Sequence, residues 1–543
     1  MSTIVFRCDA SNIIGSGHII RCRTLARELN IRGHEIIFVC RKTKGNLIML
    51  LEKEFRVLEL LIEELSVEEQ KLIQSKERQD FDNQKLIDYQ KKDARLTLKV
   101  LSKENIFQPD WIIVDQYELD QCWEKFVKEN LRKDITKIMV IDDLANRSHC
   151  ADLILDQNFV GFKNLGRYDN LVGKNCIKCI GPFYALLGRE YSSFKNQKIK
   201  KSSNKTINIY FGGNDEKNLT GKILELLTHE EFKDIYVDVV YGLQSEHINQ
   251  IQNLSKKRKN INLYKPQSSL IKLFLKADLA IGACGSTVWE RLFLDLPSLL
   301  ITIAENQREI ARNLAKENFV NLIGDIDNFK LDDIKKIILK TINSKNSFEN
   351  GKKLVDGFGT KRIAAALVGP HLPIRLREIN KSDKYTLFNW INDPVVRESS
   401  FNTSLIKIDE HENWFDNGFK NDKRINYIAL DSFDCPVGQI RFDSFNFNEY
   451  KFNQKLLKNK VFKIIVEIDI SIEKCVRGFG LGKFILIEGI EMFLEKFRVN
   501  ALFVAKIKKH NFPSIKTFLK SDFKEINEQI DKNFRTFVRE FYI

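Results

Sequence analysis

The chain lacks the cysteine framework that holds small secreted domains together. Its ten cysteines are spread over 543 residues, and the only close pair is Cys176 and Cys179. A single C-x-x-C pair is weak evidence for a metal site, so buried thiols are the simpler interpretation. We therefore expect no metal at these two cysteines.

Long apolar runs are also absent. No window approaches the roughly 18 unbroken apolar residues of a membrane span. The first apolar run, Thr3 to Phe6, comes directly after the start, without the basic region or cleavage site of a secretory leader. These absences predict a cytoplasmic protein with reduced thiols and no membrane association.

What the chain has in quantity is length, apolar side chains and lysine. With 543 residues, 43% of them hydrophobic and 29% charged, it can bury several cores, and about three domains are expected. The net charge of +14 would suit nucleic acid, a membrane surface or an anionic metabolite. Because the lysines are scattered, we expect no nucleic-acid partner.

Over the first two-thirds of the chain, short apolar runs alternate with amphipathic stretches, which predicts strands and helices of parallel sheets. Two series of strands indicate two doubly wound α/β domains, 1–155 and 156–368, facing each other across a cleft. The predicted strands are Thr3–Cys8, Glu35–Cys40, Trp111–Asp115 and Lys137–Ile141, then Thr206–Phe211, Ile235–Tyr241, Leu279–Ile281 and Ser298–Ile303. The charged stretch 62–104 predicts solvated helices without a chemical role.

Gly369-Pro370 and Pro373 end this pattern, so a third domain is expected over 372–543. The interval 443–460 is predicted to form a long hairpin loop over a binding site. The predicted strands of this domain are Ile374–Glu378, Tyr427–Leu430, Val437–Phe442, Ile464–Ile472 and Ala501–Ala505.

A glycine turn, Gly15-Ser16-Gly17-His18, lies between the first strand and a predicted helix over 19–29. Ligands of parallel sheets bind at this carboxyl end of a strand. Gly15 and Gly17 let the backbone approach a substrate, and the helix start offers N–H groups to an anion. His18 can take a proton from water. The alternative is that His18 is only a turn residue.

A second turn, Gly282 to Glu290, also follows a predicted strand and opens a helix. Here the N–H groups around Ser286 and Thr287 would hold a diphosphate, and Glu290 would bind a ribose by its hydroxyls. The alternative is a capping box formed by Thr287 and Glu290. Gly213, within Gly212-Gly213-Asn214-Asp215, marks a further candidate loop on the phosphate side.

Together with other short segments, these turns resemble the UDP-2,4-diacetamido-2,4,6-trideoxy-β-L-altropyranose hydrolases of pseudaminic acid biosynthesis, over roughly residues 3–367. The further segments are Arg7-Cys8-Asp9-Ala10, Arg21-Cys22, Asp115-Gln116-Tyr117, Asp142-Asp143-Leu144-Ala145, Asp156-Gln157-Asn158, Gly181-Pro182, Tyr184-Ala185-Leu186-Leu187 and Asn306-Gln307. The resemblance implies a fold similar to GT-B-type glycosyltransferases, with UDP held mainly by the second domain. It also implies that His18 is the general base, that Asp115 and Tyr117 contact the sugar, and that no metal is needed. The alternative for Asp115 is a buried position at the end of its strand, which alternation along the strand would also allow.

In the third domain, Arg477-Gly478-Phe479-Gly480-Leu481-Gly482 follows a predicted strand and opens a helix. With flanking segments that include Asn511, it resembles the turn of GNAT-type acetyltransferases, which have an α+β fold, over about 374–543. The resemblance implies that the amides of Phe479 to Gly482 bind the pyrophosphate of acetyl-CoA. The alternative is a tight turn without a ligand.

Proton transfer in this domain has two candidates on one strand face, Glu467 and Asp469. Of these, Glu467 is the predicted catalytic residue, although both could be merely paired or solvated carboxylates. Phe518 stands where related acetyltransferases commonly have a tyrosine that protonates the departing thiolate.

The two resemblances imply a bifunctional enzyme that acetylates a UDP-4-amino sugar with acetyl-CoA and then hydrolyses the product to UDP and free sugar. Three alternatives stay open: a glycosyltransferase joined to an unrelated acetyltransferase, a sensor that only binds a nucleotide sugar and CoA, and a protein N-acetyltransferase at the C-terminus. The oligomeric state is left open.

Overall fold

The computed structural model describes residues 1–73, 83–131, 135–162, 166–194, 204–213, 215–242, 245–344, 348–446, 450, 462–526 and 533–542. The chain divides into two compact units, Met1–Ala364 and Ala365–Ile543.

The first unit begins with a parallel sheet of seven strands in the order β3-β2-β1-β4-β5-β6-β7. Both faces of its central strands are buried, which explains why these strands are nearly continuous apolar runs. The last strand extends this sheet beyond residue 155, where the sequence suggested a domain boundary. The strands are β1 (Thr3–Cys8), β2 (Glu35–Lys42), β3 (Arg56–Leu61), β4 (Trp111–Asp115), β5 (Lys137–Ile141), β6 (Leu153–Asp156) and β7 (Ile177–Ile180).

A second parallel sheet of six strands completes the first unit, in the order β10-β9-β8-β11-β12-β13. Apolar clusters cover both faces, because Ile207 and Ile209 pack into one cluster while Val240 and Ala280 pack into another. The strands are β8 (Thr206–Tyr210), β9 (Tyr236–Val240), β10 (Ile261–Tyr264), β11 (Leu279–Ala283), β12 (Ser298–Thr302) and β13 (Asn321–Asp325).

Helices connect the strands of both parallel sheets, and two more follow the last of these strands. They are α1 (Gly17–Ile31), α2 (Ile48–Leu51), α3 (Val67–Ile73), α4 (Asn83–Lys103), α5 (Gln121–Asn130), α6 (Arg189–Ser192), α7 (Leu219–Leu226), α8 (Ile248–Ser255), α9 (Ile271–Lys276), α10 (Thr287–Phe293), α11 (Glu305–Lys316), α12 (Leu331–Asn343) and α13 (Gly359–Val368). The boundary between the two units falls within α13.

Helix α4 differs from the solvated helix that its charged composition suggested. Its Asp93 is fully buried and accepts hydrogen bonds from Arg7 Nη2 at 2.7 Å and Arg41 Nη2 at 2.6 Å. Burial alone would raise the pKa of Asp93, but the two guanidinium groups hold this pKa well below its ordinary value. This ion cluster ties α4 to the neighbouring strands β1 and β2.

The second unit contains a mixed sheet of seven strands in the order β14-β15-β16-β17-β18-β20-β19. All its pairings are antiparallel except the one between β17 and β18. The strands are β14 (Arg375–Glu378), β15 (Arg424–Leu430), β16 (Pro436–Asn446), β17 (Ile464–Ile472), β18 (Ala501–Lys508), β19 (Lys524–Ile526) and β20 (Phe534–Phe541). The helices are α14 (Lys384–Ile391), α15 (Pro394–Ser399), α16 (Ile408–Gly418), α17 (Leu481–Phe497) and α18 (Phe512–Leu519).

The hairpin loop expected over 443–460 is only partly described. Strand β16 continues to Asn446, and beyond it only Tyr450 of this interval belongs to the described residues. The rest of that prediction therefore lies outside them. The division into domains 1–155, 156–368 and 372–543 stays a prediction.

Candidate active sites

A cavity of about 1670 Å³ opens in the first unit at the carboxyl ends of the strands of both sheets. The β1–α1 turn lines it on one side, and the turns after β8 and β11 line it on the other. The two sides approach closely, since a Cβ added to Gly213 would lie 3.4 Å from Ser16 Oγ. The two glycine turns found in the sequence therefore face one cleft.

His18 stands in the first turn of α1 and lines this cleft. Its Nδ1 lies 2.5 Å from Oδ1 of Asp115, the last residue of β4, whose side chain is fully buried. With Nδ1–H donated to this carboxylate, Nε2 is the ring nitrogen left to accept a proton from a solute. The pair has the geometry of a general base held by a buried carboxylate.

Arg21 keeps that carboxylate ionised. Its Nε and Nη2 each donate to Asp115 at 2.6 Å, one to each oxygen. Burial by itself would raise the pKa of Asp115, but the charges of Arg21 and His18 hold this pKa well below its ordinary value. Asp115 is therefore placed beneath His18 and away from the cleft, which differs from the sugar contact that the resemblance implied.

Tyr117 does line the cleft, and it connects the two sides of it. Its hydroxyl donates to Asp143 Oδ2 at 2.8 Å and accepts from Asn306 Nδ2 at 3.0 Å. The ring of Tyr117 meets the His18 ring edge-on, with centroids 4.7 Å apart. Burial, together with Asp143, raises the pKa of Tyr117 well above its usual range, so the hydroxyl stays a donor.

Three residues of this network were not singled out as site residues from the sequence, although all three fall in the quoted segments. They are Arg21, Asp143 and Asn306. A local signal exists for Arg21, because it follows His18 by three positions and shares its helix face. Asp143 comes just after the end of β5, the same sheet edge at which β4 ends. Arg21 Nη1 donates to Asp143 Oδ2 at 2.8 Å, and this bond connects the His18–Asp115 pair with the Tyr117–Asn306 pair.

On the other side of the cleft, α10 begins at Thr287, with Ser286 as its N-cap residue. Ser286 makes no side-chain capping bond, and Glu290 accepts a hydrogen bond from the Tyr191 hydroxyl. The capping box considered for Thr287 and Glu290 is therefore not formed. Burial raises the pKa of Glu290 to about 7, so near neutral pH this cleft-facing carboxyl can donate or accept a hydrogen bond.

The glycine loop after β8 is only partly described, because Asn214 lies outside the described residues. Gly212 has a φ of +98°, a conformation that favours glycine. Gly213 lines the cleft together with Gly15 and Gly17. The backbone of all these glycines is therefore accessible to a ligand in the cavity.

In the second unit, the turn between β17 and α17 depends on two glycines. Gly478 and Gly480 have φ angles of +88° and +80°, in the left-handed region. Arg477 fastens the turn, because its Nε donates to the Ile472 carbonyl at 3.1 Å and its Nη2 to Asp393 Oδ1 at 2.8 Å. Phe479 is half exposed at 51%, whereas the Leu481 side chain is buried. Leu481 can therefore contribute only its backbone to a ligand.

Gly482 allows close packing behind this turn. A Cβ at Gly482 would lie 3.3 Å from Thr517 Cγ2, so α17 and α18 approach each other here. Asn511 caps α18, because its side chain accepts from the Ser514 amide at 3.2 Å. The Asn511 side chain thus has a structural partner in addition to the CoA contact that the resemblance implied.

Strands β17 and β18 pair only along part of their length. Ile464–Glu467 pairs with Ala501–Val504, and beyond these residues both strands continue without pairing to each other. Backbone N–H and C=O groups along the diverging halves therefore face a gap within the sheet. We call this gap the fork. The glycine turn follows β17 after one short 3-10 helix, Lys474–Val476.

Glu467 lies at the base of the fork. Its Oε1 accepts hydrogen bonds from Lys506 Nζ at 2.6 Å and from the Tyr450 hydroxyl. Asp469 is paired as well, with Gln439 Nε2 at 3.2 Å and Arg441 Nη1 at 3.6 Å. Both carboxylates thus match the alternative of paired strand residues.

Phe518 belongs to the core of the second unit. It is 2% exposed and meets the Phe523 ring edge-on, with centroids 4.9 Å apart. The phenylalanine ring therefore offers no group that could protonate a departing thiolate.

All ten cysteines are free thiols, and Cys176 and Cys179 are buried. Within the described ranges, no group of three or more His, Cys, Asp or Glu side chains is placed to hold a metal ion. In the same part of the chain, the helices are too short or too polar to cross a membrane.

Comparison with known proteins finds a matching family model and several relatives. Residues 374–524 match the family model of an acetyltransferase (GNAT) domain. An uncharacterized protein of Methanocaldococcus jannaschii is 25% identical over 433 residues, which are 78% of this chain and 79% of that protein. This span exceeds the 364 residues of the first unit, so the similarity extends into the second.

The UDP-2,4-diacetamido-2,4,6-trideoxy-beta-L-altropyranose hydrolase of Campylobacter jejuni is 27% identical over 316 residues, 58% of this chain and 97% of the relative. Among solved structures, MurG of Acinetobacter baumannii is similar over 68% of this chain and 99% of its own, with 11% identity and a TM-score of 0.44. The expected fold class, two parallel α/β domains followed by a GNAT-type domain, is confirmed. The chain thus combines homology to a UDP-sugar hydrolase with a C-terminal acetyltransferase (GNAT) domain.

Proposed function

We propose that the chain is a bifunctional enzyme of pseudaminic acid biosynthesis. Its second unit acetylates the 4-amino group of a UDP-linked amino sugar, and its first unit hydrolyses the resulting UDP-2,4-diacetamido-2,4,6-trideoxy-β-L-altropyranose to UDP and free sugar. The observation that carries the proposal is the pairing of cleft-lining His18 with buried Asp115.

In the hydrolytic step, His18 Nε2 takes a proton from a water molecule as the water oxygen attacks the anomeric carbon. The bond from that carbon to the UDP oxygen breaks, and its electron pair leaves with UDP. The Asp115 carboxylate, 2.5 Å from Nδ1, stabilises the imidazolium that forms. Base catalysis of this kind contributes about 10²–10⁴-fold to the rate.

The two sides of the cleft divide the substrate between them in this proposal. The N–H groups of Gly213, Ser286 and Thr287 bind the diphosphate, and Glu290 binds the ribose hydroxyls. The pKa of Glu290, about 7, suits this role, because the carboxyl can share either a proton or a lone pair with a hydroxyl.

On the opposite side, Gly15, Gly17 and Tyr117 face the sugar. Each of the three lines the cavity. The tyrosine hydroxyl is already oriented by Asp143 and Asn306, so it can present its ring and hydroxyl to the sugar without further ordering.

In the acetyl transfer step, the turn from Arg477 to Gly482 binds the pyrophosphate of acetyl-CoA, and the rest of the cofactor enters the fork. The GNAT family match supports acetyl-CoA as cosubstrate. The amine nitrogen attacks the carbonyl carbon of the thioester directly, because both are held at the same opening. The carbon–sulfur bond then breaks, its electron pair leaves with CoA, and water protonates the departing thiolate. Glu467 relays the amine proton through water, with Lys506 and Tyr450 fixing its carboxylate.

The test is to incubate the protein with the UDP-4-amino sugar and acetyl-CoA and to follow free CoA and UDP by mass spectrometry. We expect CoA to appear first and UDP to follow, with little UDP when acetyl-CoA is omitted. The variant His18→Ala should release CoA normally and lose UDP release. UDP release that needs an added sugar acceptor, or that is unchanged in His18→Ala, would contradict the proposal and favour a glycosyltransferase or a binding protein.

A further inference from the structure

A second cavity, of about 370 Å³, lies in the second unit where β18 ends and β20 begins. It is separate from the residues of the acetyl-CoA turn. Its lining residues are Phe401, Lys508, Lys509, His510, Asn533 and Phe534. Lys508 and Phe534 are register partners in the sheet, so the floor of this cavity is a rigid strand pair.

Two aromatic rings form one wall of this cavity. Phe401 and Phe534 stack with centroids 4.1 Å apart and planes inclined by 18°. Phe401 is nevertheless 65% exposed, although an aromatic ring of this size ordinarily gains from burial. A ring held in place on one side and open on the other offers a surface on which a planar base can stack.

The remaining polar side of the cavity is basic. Lys508 Nζ is fixed by donating to the Glu398 carbonyl at 2.7 Å, while Lys509 and His510 follow it at the rim. Among the described residues that line the cavity there is no carboxylate. Ammonium and imidazole N–H groups beside an aromatic face match an anion that carries a ring, as a nucleotide does.

The position of the cavity relates it to the fork. Helix α15 begins next to Asp393, which Arg477 of the acetyl-CoA turn contacts, and ends near Glu398, which Lys508 contacts. This helix has six residues, which corresponds to a length of about 9 Å. A ligand of two linked phosphates with a base at one end and a sugar at the other can therefore reach from the cavity towards the fork.

We propose that this cavity binds the nucleoside diphosphate part of the amine acceptor, with its base on Phe401 and its phosphates near Lys509 and His510. This inference rests on the proposed function, because that function supplies the UDP-linked amine as substrate. It adds the site at which the protein would select an amine linked to a nucleotide over an amine without one. The nucleotide part of CoA also carries a base and phosphates. The experiments below therefore distinguish binding of the amine acceptor from binding of CoA.

The first experiment counts bound UDP per full-length chain by equilibrium dialysis with radiolabelled UDP. We expect two UDP molecules, one in the cleft of the first unit and one in this cavity. The double variant Lys509→Gln/His510→Gln should bind one fewer than the wild type. A matched control is Lys516→Gln/Lys520→Gln on and just after α18, which removes two exposed lysines outside the cavity and should bind as many as the wild type.

Each outcome of this count decides something. If the wild type and the Lys509/His510 variant bound equal numbers of UDP molecules per chain, the inference would be overturned. If saturating CoA displaced one UDP molecule from the wild type, the cavity would be assigned to CoA instead. Failure of the cleft to bind UDP would lower both counts by one and leave their difference intact, so it would refute the proposed function and not this inference.

The second experiment measures acetyl transfer. In the Lys509/His510 variant the KM for the UDP-4-amino sugar should rise by about ten-fold, while the KM for acetyl-CoA stays unchanged. A rise in the KM for acetyl-CoA alone would overturn the assignment to the acceptor. A wild-type protein that does not acetylate the UDP-amino sugar would refute the proposed function, and the UDP count would still decide whether the cavity binds a nucleotide.

Discussion

Replacing Asp115 by Asn should nearly abolish UDP release and leave acetyl transfer intact. The carboxylate accepts one hydrogen bond from His18 at 2.5 Å and two from Arg21 at 2.6 Å, with no exposure to solvent. An amide at this position has one oxygen and one NH₂ group. If the oxygen stays with Arg21, the NH₂ group faces His18 Nδ1 and stabilises the tautomer that carries its proton on Nε2.

That tautomer cannot accept a proton from water, so the rate constant for hydrolysis should fall by about 10⁴-fold, as expected when a histidine base is held in the wrong tautomer. The free energy of unfolding should fall by about 1–3 kcal/mol, because Arg21 loses one charged partner but keeps Asp143. UDP release under saturating substrate measures the first effect, and urea unfolding measures the second.

The matched control is Asp143→Asn. It also removes a carboxylate from Arg21, but it leaves the His18–Asp115 pair in place, so its rate should fall much less than that of Asp115→Asn. If Asp115→Asn kept its rate within ten-fold of the wild type, or if both variants lost the same factor, the tautomer argument would be refuted.

Three further predictions concern single residues. Gly480→Ala introduces a side chain at a φ of +80°, which costs about 1–2 kcal/mol; the KM for acetyl-CoA should rise while UDP release from the diacetamido substrate is unchanged, and equal effects on both would contradict a local role. Phe518→Tyr places a hydroxyl in the core, where Phe518 is 2% exposed, so Tm should fall and CoA release should not accelerate; faster CoA release would show that the hydroxyl reaches the thiolate. For Glu290, burial raises the pKa from its ordinary value to about 7, so the folded state binds the proton more tightly than the unfolded state. The free energy of unfolding should therefore fall as pH rises from about 4.5 to 7, and this fall should be smaller in Glu290→Gln when urea titrations are compared at several pH values.

The strands that the sequence predicted best are those buried on both faces. Thr3–Cys8, Trp111–Asp115 and Lys137–Ile141 have the predicted bounds, because each is a largely apolar run that ends at polar residues or a turn. Ile464–Ile472, which is only partly buried, also has the predicted bounds, because apolar and polar residues alternate along it. The strands it missed include Arg56–Leu61 at a sheet edge and the four-residue Ile177–Ile180. An edge strand or a very short strand has too few buried positions to show a clear period.

The glycine turns could be found from the sequence because a turn depends on neighbouring residues. The partners of His18 could not be chosen in the same way. Alternation along β4 left open whether Asp115 faced the cleft or the interior, and only the approach of Arg21 and His18 from α1 decides this. The link from Tyr117 to Asn306 joins residues 189 positions apart, a separation over which local patterns carry no information.

The fork between β17 and β18 means that the sheet of the second unit is complete only when something else supplies its missing hydrogen bonds. The flanks of the fork are firmly held, since β17 pairs with β16 and β18 with β20 along their full lengths. The amides that point into the gap, within 468–472 and 505–508, should therefore exchange with deuterium far faster than their neighbours on the same strands. Acetyl-CoA lying in the gap would slow that exchange, so the cosubstrate would act as the strand that the protein leaves out.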